Sequence, residues 1–389
     1  MKRPQITGLY YITHINNVPS ILEHGILSHE RVLAEKIPYI HIYAEEIVAN
    51  RREKQTPDGR SLWKFANLYF QPRNPMLYCV LHKKSVGEVA IVSIRPEILD
   101  RLDIYISTGN AAHLSSKILP SGEGGKAIPQ IIRDTVMVDY WKKEDGSKRK
   151  IMAECLVPDM VPPDLIENIY VATRDAKTKL EAVILHPKIS VIPEPNMFFR
   201  PSWVAQLTPT LYLAEGDMFF SRLQTITISV NTVGVMGKGL ASRAKYQFSD
   251  LYVYYQDLCH NRKLRMGRPQ LYKRESSLDY ELADEPLTLS NGNSEKWFLL
   301  FPTKRDWKER ADLHGIEEGL KWLTDNYQKE DIKSLAMPAL GCGLGRLEWR
   351  DVGPLMCRYL EKFDINVGVY LPAEKEIPKE LLSKDFLLS

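Results

Sequence analysis

No cysteine pair stands at C-x-x-C spacing, and the five cysteines (Cys79, Cys155, Cys259, Cys342 and Cys357) are scattered along the chain. That excludes a disulfide framework and a cysteine-built zinc site, and it fits reduced thiols in a cytoplasm. Histidine is equally thin: nine residues with no H-E-x-x-H and no ligand-spaced cluster, so no metal is expected. No stretch reaches the roughly 18 continuous apolar residues of a membrane-spanning helix, and the N-terminus carries no secretory apolar core. The expected compartment is the cytoplasm, with no membrane contact. Charge of one sign is lacking too, since 52 Lys and Arg stand against 49 Asp and Glu for a net +3. Any affinity for nucleic acid therefore has to come from local patches rather than a global field.

What the chain does have is length and an ordinary globular composition: 389 residues, 44% apolar and 26% charged. That suits two domains. Residues 193–209 carry Pro193, Pro195, Pro201 and Pro209 with little periodicity and are expected to connect them. The expected division is a first domain over 1–198, a linker over 199–208 and a second domain over 209–389. In the first, residues 9–13 read as a strand. Asn16-Asn17 offers capping oxygens, Pro19 suits a first turn and Gly25 a stop, so a short helix is expected over 18–24. Residues 43–52 have helical spacing, 65–70 alternate weakly, and 76–81 and 90–94 read as strands, while 105–130 read as irregular. Gly122-Glu-Gly-Gly-Lys126 is rejected as a phosphate loop, because the upstream glycine is missing and Ala127 stands where Ser or Thr is needed. Lys142, Lys143, Lys148, Arg149 and Lys150 form a basic run ahead of the β-like 151–157, which carries Glu154 among apolar neighbours. A solvated loop is the plain reading of that run, and a water-facing carboxylate the plain reading of Glu154. In a cleft, Glu154 would hold a ribose hydroxyl or take a proton.

The second half alternates strand and helix. Strands are expected over 226–230, 297–301, 335–338 and 367–371, and helices over 237–248, 311–327 and 351–363. That pattern implies a largely parallel or mixed sheet faced by helices. Asn231-Thr-Val-Gly-Val-Met-Gly-Lys-Gly239 leaves the first of these strands through glycines into a helix start, where free N–H groups and the helix dipole favour an anion. Phe301-Pro-Thr-Lys304 and Gly341-Cys-Gly-Leu-Gly345 also follow short apolar runs. Three such loops at strand ends make a crevice for a phosphorylated ligand. With Gly216-Asp217, these segments resemble the ADP-ribose loops of a macrodomain, and their wording resembles the DarG antitoxin branch over roughly residues 208–375.

In the first half, four segments together resemble the DarT family of DNA ADP-ribosyltransferases over roughly residues 5–198. They are Tyr10-Tyr-Ile-Thr-His14, Asn50-Arg-Arg52, Tyr69-Phe-Gln-Pro-Arg-Asn-Pro-Met-Leu77 and Met152-Ala-Glu-Cys-Leu-Val157. Tyr11 replaces the usual histidine, and Trp63-Lys-Phe65 replaces an aromatic-acidic-aromatic stretch. The two resemblances imply an α/β and α+β protein of two domains: an ADP-ribosyltransferase fold with a mixed, split β core, then a three-layer α/β/α macrodomain.

The DarT resemblance implies Glu154 and either Arg51 or Arg52 as catalytic residues, with NAD as substrate contacted by Tyr11, Ile12, Thr13, Ser20 and Arg51. It also implies single-stranded DNA as acceptor at thymidine, and a basic rim with Tyr69, Phe70 or Trp141 is expected to hold the strand. The chemistry suits these residue types. A carboxylate under the ribose stabilises an oxocarbenium-like centre, and an arginine grips phosphate.

The macrodomain resemblance implies ADP-ribose held by Asp217 at the adenine and Asn231 near the distal ribose. Gly234, Gly237, Lys238, Gly239, Thr303, Gly341, Cys342, Gly343, Leu344 and Gly345 complete that set. Lys304 is implied in removing ADP-ribose, with Arg305 expected to lower its pKa; a lysine that only neutralises phosphate is the plain alternative. Related glycohydrolases carry an aspartate where this chain has Gly345. The resulting expectation is a fused toxin–antitoxin that adds ADP-ribose to DNA and removes it, with a contact between the two domains left open. The alternatives are a macrodomain that only binds ADP-ribose or inhibits the transferase, and a protein-directed transferase.

Overall fold

The computed structural model describes residues 6–42, 45–184, 189–284, 295–372 and 375–389. Tyr43, the expected start of one helix, lies outside them; the helix runs Glu45–Glu53. The chain forms two units. The first is Met1–Phe198 with Asp279–Gly292, and the second is Phe199–Leu278 with Asn293–Ser389.

The first unit is built on an eight-stranded sheet in the order Ser190–Pro193, Ile166–Val171, Val89–Ile94, Leu9–His14, Phe65–Tyr69, Glu154–Pro158, Tyr105–Ser107, Ile118–Pro120. Leu9–His14 pairs along its whole length with Val89–Ile94 but meets Phe65–Tyr69 only at Tyr10 opposite Tyr69. Beyond that pair the two strands diverge, so the sheet splits and opens a cleft at its centre.

Several sequence expectations are corrected here. Residues 76–81 are not a strand but part of the buried helix Pro75–Lys83. Asn74 caps it by accepting from the Leu77 N–H at 3.0 Å, and Pro75 supplies a first-turn residue without a donor. An apolar run of that length suits a buried helix as well as a strand, and the Asn-Pro start decides it. Residues 105–130 are irregular only over 108–117: on either side they form two strands and the start of the helix Ser121–Thr135. Three glycines obscure that helix, and one has a packing reason. A Cβ on Gly124 would lie 2.7 Å from the Ile106 side chain, so helix and sheet approach closely there.

The second unit has a seven-stranded sheet in the order Trp203–Gln206, Leu211–Glu215, Asn366–Tyr370, Ser334–Pro338, Thr225–Asn231, Trp297–Lys304, Gln270–Tyr272. The inner strands are parallel and both edge strands antiparallel. Alternate residues of Trp297–Lys304 serve opposite faces. Leu299 and Phe301 join the core under the helices Leu313–Asn326 and Trp349–Leu360, while Phe298 meets Phe248 with ring centroids 4.6 Å apart. This is the three-layer α/β/α arrangement. The expected linker over 199–208 is corrected as well, since Trp203–Gln206 is an edge strand paired with Leu211–Glu215. Prolines are tolerated at sheet edges, so proline density alone does not mark a linker.

Candidate active sites

In the first unit the split sheet leaves a cavity of about 440 Å³. Tyr11, Ile12, Thr13, Ser20 and Arg51 all line it, as do Tyr69, Trp63 and Asp284. Arg51 ends the helix Glu45–Glu53 and reaches Glu154 at the start of the strand Glu154–Pro158. Its Nη2 donates to Glu154 Oε2 at 2.7 Å and its Nη1 to Oε1 at 3.2 Å. Arg52 points elsewhere, its guanidinium 5.1 Å from the Trp63 ring centroid, so of the two arginines it is Arg51 that meets Glu154.

Glu154 neither faces water nor lies in an apolar core. Its side chain is 0% exposed, yet Oε1 also accepts from the Ala111 N–H at 2.9 Å, and the Arg51 above it is 17% exposed. Burial pulls the Arg51 pKa down, but the Glu154 charge and hydrogen bonds outweigh it and leave the guanidinium above its ordinary value. Tyr69, paired across the sheet with Glu154, has its phenol pushed up by burial and then by the Glu154 charge. Burial, with Tyr39 next, lifts Tyr11 to about 12. Both phenols stay neutral and can only donate or accept hydrogen bonds.

The expected DNA-stacking aromatics are corrected. Tyr69, Phe70 and Trp141 are 5%, 1% and 2% exposed, and the Trp141 indole donates to the Leu282 carbonyl at 2.9 Å. The basic run is partly used for structure: Arg149 Nη1 donates to the Ser116 hydroxyl at 3.0 Å. The cavity instead carries a ring cluster that sequence reasoning missed, with His29 against Trp63 at 4.2 Å and against Tyr39 at 6.3 Å. Asn17 was missed too. Its amide donates to the Thr13 hydroxyl at 3.2 Å and exchanges two bonds with the Ile40 backbone, bracing the cavity wall. Only the helix-start signature around Asn17 hinted at it.

In the second unit the three expected loops lie at the carboxyl ends of neighbouring strands. Asn231 stands opposite Lys304 across the parallel pair, where the register shifts. The Lys304 amine donates to the Leu344 carbonyl at 3.3 Å and the Glu309 carbonyl at 2.9 Å, so it points at the glycine loop. Its pKa is lowered by burial first and the Arg346 charge second, against Glu309. The expected helper Arg305 is corrected: it is well exposed and sits 3.7 Å from Asp312.

Gly237, Lys238, Gly239, Gly343 and Leu344 are exposed around these loops, with Gly234 partly so. Exposed Leu344, Val233 and Leu240 add apolar surface. A Cβ on Gly239 would lie 3.3 Å from Leu344, so the two glycine loops face each other closely. Gly341 (φ 71°) and Gly345 are buried, and a Cβ on Gly345 would lie 2.4 Å from the Gly341 carbonyl.

Four residues have their side chains engaged inside the fold. Cys342 is buried with its thiol pushed to about 12 by that burial. The Thr303 hydroxyl turns toward the Val230 carbonyl at 3.5 Å. The Asn231 amide oxygen accepts from Val233 and Val235 N–H and from the Tyr255 hydroxyl, while its nitrogen donates to the Val235 carbonyl at 2.6 Å. Asn231 thus shapes the loop. Asp217 takes a two-oxygen ion pair from Arg243 Nη1 at 2.9 Å to each. Lys238 stands at the N-cap of the helix Gly239–Gln247. Among the described residues no group of three or more His, Cys, Asp or Glu is placed to hold a metal, and no helix is long and apolar enough to cross a membrane.

Comparison with known proteins agrees with this division into two units. The family described as "ssDNA thymidine ADP-ribosyltransferase, DarT" matches residues 10–199, and the macro domain family matches residues 285–356. A "DNA ADP-ribosyl transferase-DNA ADP-ribosyl glycohydrolase fusion protein" of Thermosipho africanus is 56% identical over 386 residues, covering 99% of each chain. A solved structure of Thermosipho africanus DarTG in complex with ADP-ribose superposes with a TM-score of 0.93 at 55% identity, covering 98% of this chain and 100% of that one. A DNA ADP-ribosyl glycohydrolase of Thermus aquaticus is 33% identical over 42% of each chain. With a transferase-like unit and a macrodomain in the same order and matched end to end, the chain belongs to the DarT–DarG fusion family.

Proposed function

We propose that this chain is a fused toxin–antitoxin enzyme. Its first unit transfers ADP-ribose from NAD to thymidine bases of single-stranded DNA, and its macrodomain hydrolytically removes the DNA-linked ADP-ribose. The observation that carries the reading is the Arg51–Glu154 pair at a cavity of nucleotide size, on a chain that matches a fusion relative along its length. The DarT match supplies the acceptor: thymidine in single-stranded DNA.

In the transferase step the bond between nicotinamide and ribose breaks, nicotinamide leaves with the electron pair, and positive charge develops at the anomeric carbon. Glu154, freed from Arg51, stabilises that charge and fixes the ribose. Tyr11, Ile12, Thr13 and Ser20 line the NAD side of the cavity. The incoming base nitrogen then bonds to the anomeric carbon and gives up its proton to a carboxylate.

In the macrodomain, the glycine loops and the start of the helix Gly239–Gln247 suit the diphosphate, with Asp217 at the adenine side. Lys304 in its neutral form bonds to the anomeric carbon, the base leaves with the electron pair of the broken bond and takes up the proton the lysine nitrogen sheds, and water then breaks the lysine–ribose bond, releasing ADP-ribose and restoring the amine. A transferase that ends near residue 198 and a macrodomain that starts at Phe199, so that its sheet includes the edge strand Trp203–Gln206, follow from the same reading. So does a cytoplasmic location, where NAD and DNA are both met.

The test is incubation of wild type, Glu154→Ala and Lys304→Ala with NAD and a thymidine-containing oligonucleotide, followed by mass analysis. The expected result is no adduct with Glu154→Ala and a persistent adduct with Lys304→Ala. An adduct on a protein in place of the oligonucleotide, or an adduct formed equally well without Glu154, overturns the reading.

A further inference from the structure

The first unit is not made of N-terminal sequence alone. Asp279–Gly292, which lies between strands of the second unit in sequence, clusters with it. Residues 279–284 are firmly attached to the helix Pro75–Lys83 and to Trp141. The Tyr78 hydroxyl donates to Asp279, and His82 Nε2 lies 3.3 Å from the same carboxylate. The Trp141 indole donates to the Leu282 carbonyl, and the Asp284 N–H donates to the Pro75 carbonyl at 3.2 Å. Leu282 and Ala283 are 1% and 0% exposed. This segment ends with Asp284 on the wall of the same cavity as Arg51 and Tyr69.

That placement bears on a problem in the resting site. Both Glu154 oxygens are occupied and its side chain is wholly covered by Arg51 and its surroundings. For the carboxylate to reach a ribose, Arg51 has to release at least one of them. A guanidinium leaving its carboxylate in a poorly solvated site needs a replacement partner, because an uncompensated charge there is strongly disfavoured. Asp284 offers a second carboxylate, and its charge acts on Arg51 and on Tyr69 alongside that of Glu154.

We propose that Asp284 is a positioning residue of the transferase, taking over the Arg51 guanidinium when Glu154 is released to the substrate. The inference rests on the transferase reading above. Its consequence is that a residue encoded within the second half of the chain completes the catalytic pocket of the first. No covalent bond changes in this step; Arg51 exchanges one carboxylate for another.

The experiment compares full-length wild type, Glu154→Ala, Asp284→Asn and Asp284→Glu, measuring kcat and KM for NAD with a thymidine oligonucleotide, and macrodomain activity on a purified adduct. Asp284→Asn keeps the shape and removes the charge. It is expected to lower kcat by on the order of ten- to a hundredfold, the scale of a catalytic group held off its working position. KM for NAD and removal of ADP-ribose are expected to stay near wild type, and Asp284→Glu to recover most of kcat. A purely structural role for the segment would instead move KM and stability and would not be rescued by charge. An active wild type, an inert Glu154→Ala and an Asp284→Asn with unchanged or raised kcat overturn this inference alone. So does an Asp284→Glu as impaired as Asp284→Asn. An adduct formed without Glu154 overturns the transferase reading, and this inference with it.

Discussion

Arg51 lies across Glu154 and donates to both of its carboxylate oxygens, at 2.7 and 3.2 Å, leaving the acid no exposed surface. The acid expected to touch substrate is therefore held in reserve by the arginine expected to bind it. On the proposed role of Glu154, that single pairing bears on both the stability and the activity of the first unit.

Arg51→Ala leaves a fully buried carboxylate without its cation. Breaking one side of such a pair costs about 3–5 kcal/mol, so thermal unfolding of the full chain is expected to begin at a clearly lower temperature, with no DNA adduct formed. Arg51→Ala combined with Glu154→Ala removes both charges and is expected to regain most of that stability while staying inactive. A double variant no more stable than Arg51→Ala counts against the pair as the cause.

On the proposed role of Lys304, ADP-ribose removal is expected to depend on pH through its amine. Its pKa is lowered, by burial first and then by Arg346, so the neutral amine is present at lower pH than for an ordinary lysine. Removal should rise as pH increases through that lowered pKa. Arg346→Gln deletes the second cause, so the pKa moves back up and the rising limb shifts to higher pH. A rate profile unmoved by Arg346→Gln would speak against Lys304 as the titrating group.

Gly345 stands where the macrodomain resemblance implies an aspartate in related glycohydrolases, and the packing leaves no room for a side chain there. A Cβ would stand 2.4 Å from the Gly341 carbonyl and 2.9 Å from the Ala311 methyl. Gly345→Asp is therefore expected to weaken ADP-ribose binding by at least tenfold, about 1.4 kcal/mol or more, rather than to speed hydrolysis. Isothermal titration with ADP-ribose reads the outcome.

Asn231 holds its loop through two backbone N–H groups, one carbonyl and the Tyr255 hydroxyl. Asn231→Ala strands those partners. Leaving buried polar groups unsatisfied costs about 1–3 kcal/mol each, so both ADP-ribose affinity and macrodomain stability should fall together. Loss of affinity with unchanged stability would instead assign the amide to direct ligand contact.

Much of this was legible from the residues in order. The strand–glycine–helix passage around Asn231–Gly239, the alternation of the second half and the helix opened by Pro19 and stopped by Gly25 all depend on neighbours a few positions apart, whereas the Asn17 side chain bonds Thr13 and Ile40 and caps nothing. Their spacing therefore carries the signal. The residue roles came through family resemblance on those same motifs. The misread elements had local signals that pointed two ways. Residues 76–81 are apolar enough for a strand or a buried helix, and the glycines of 121–125 hide a helix whose close packing on Ile106 they permit.

Sequence alone determined that two phosphate-handling units lie on one chain, because glycine, lysine and carboxylate positions are written in short contiguous motifs. Only the tertiary structure decided that Arg51 rather than Arg52 covers Glu154, that Trp141 is packed inside, that Arg346 and not Arg305 acts on Lys304, and that Asp284 joins the first cavity. Burial and Coulomb interactions are set by distance in space. Arg51 and Glu154 stand 103 positions apart in the chain, which no local pattern can register.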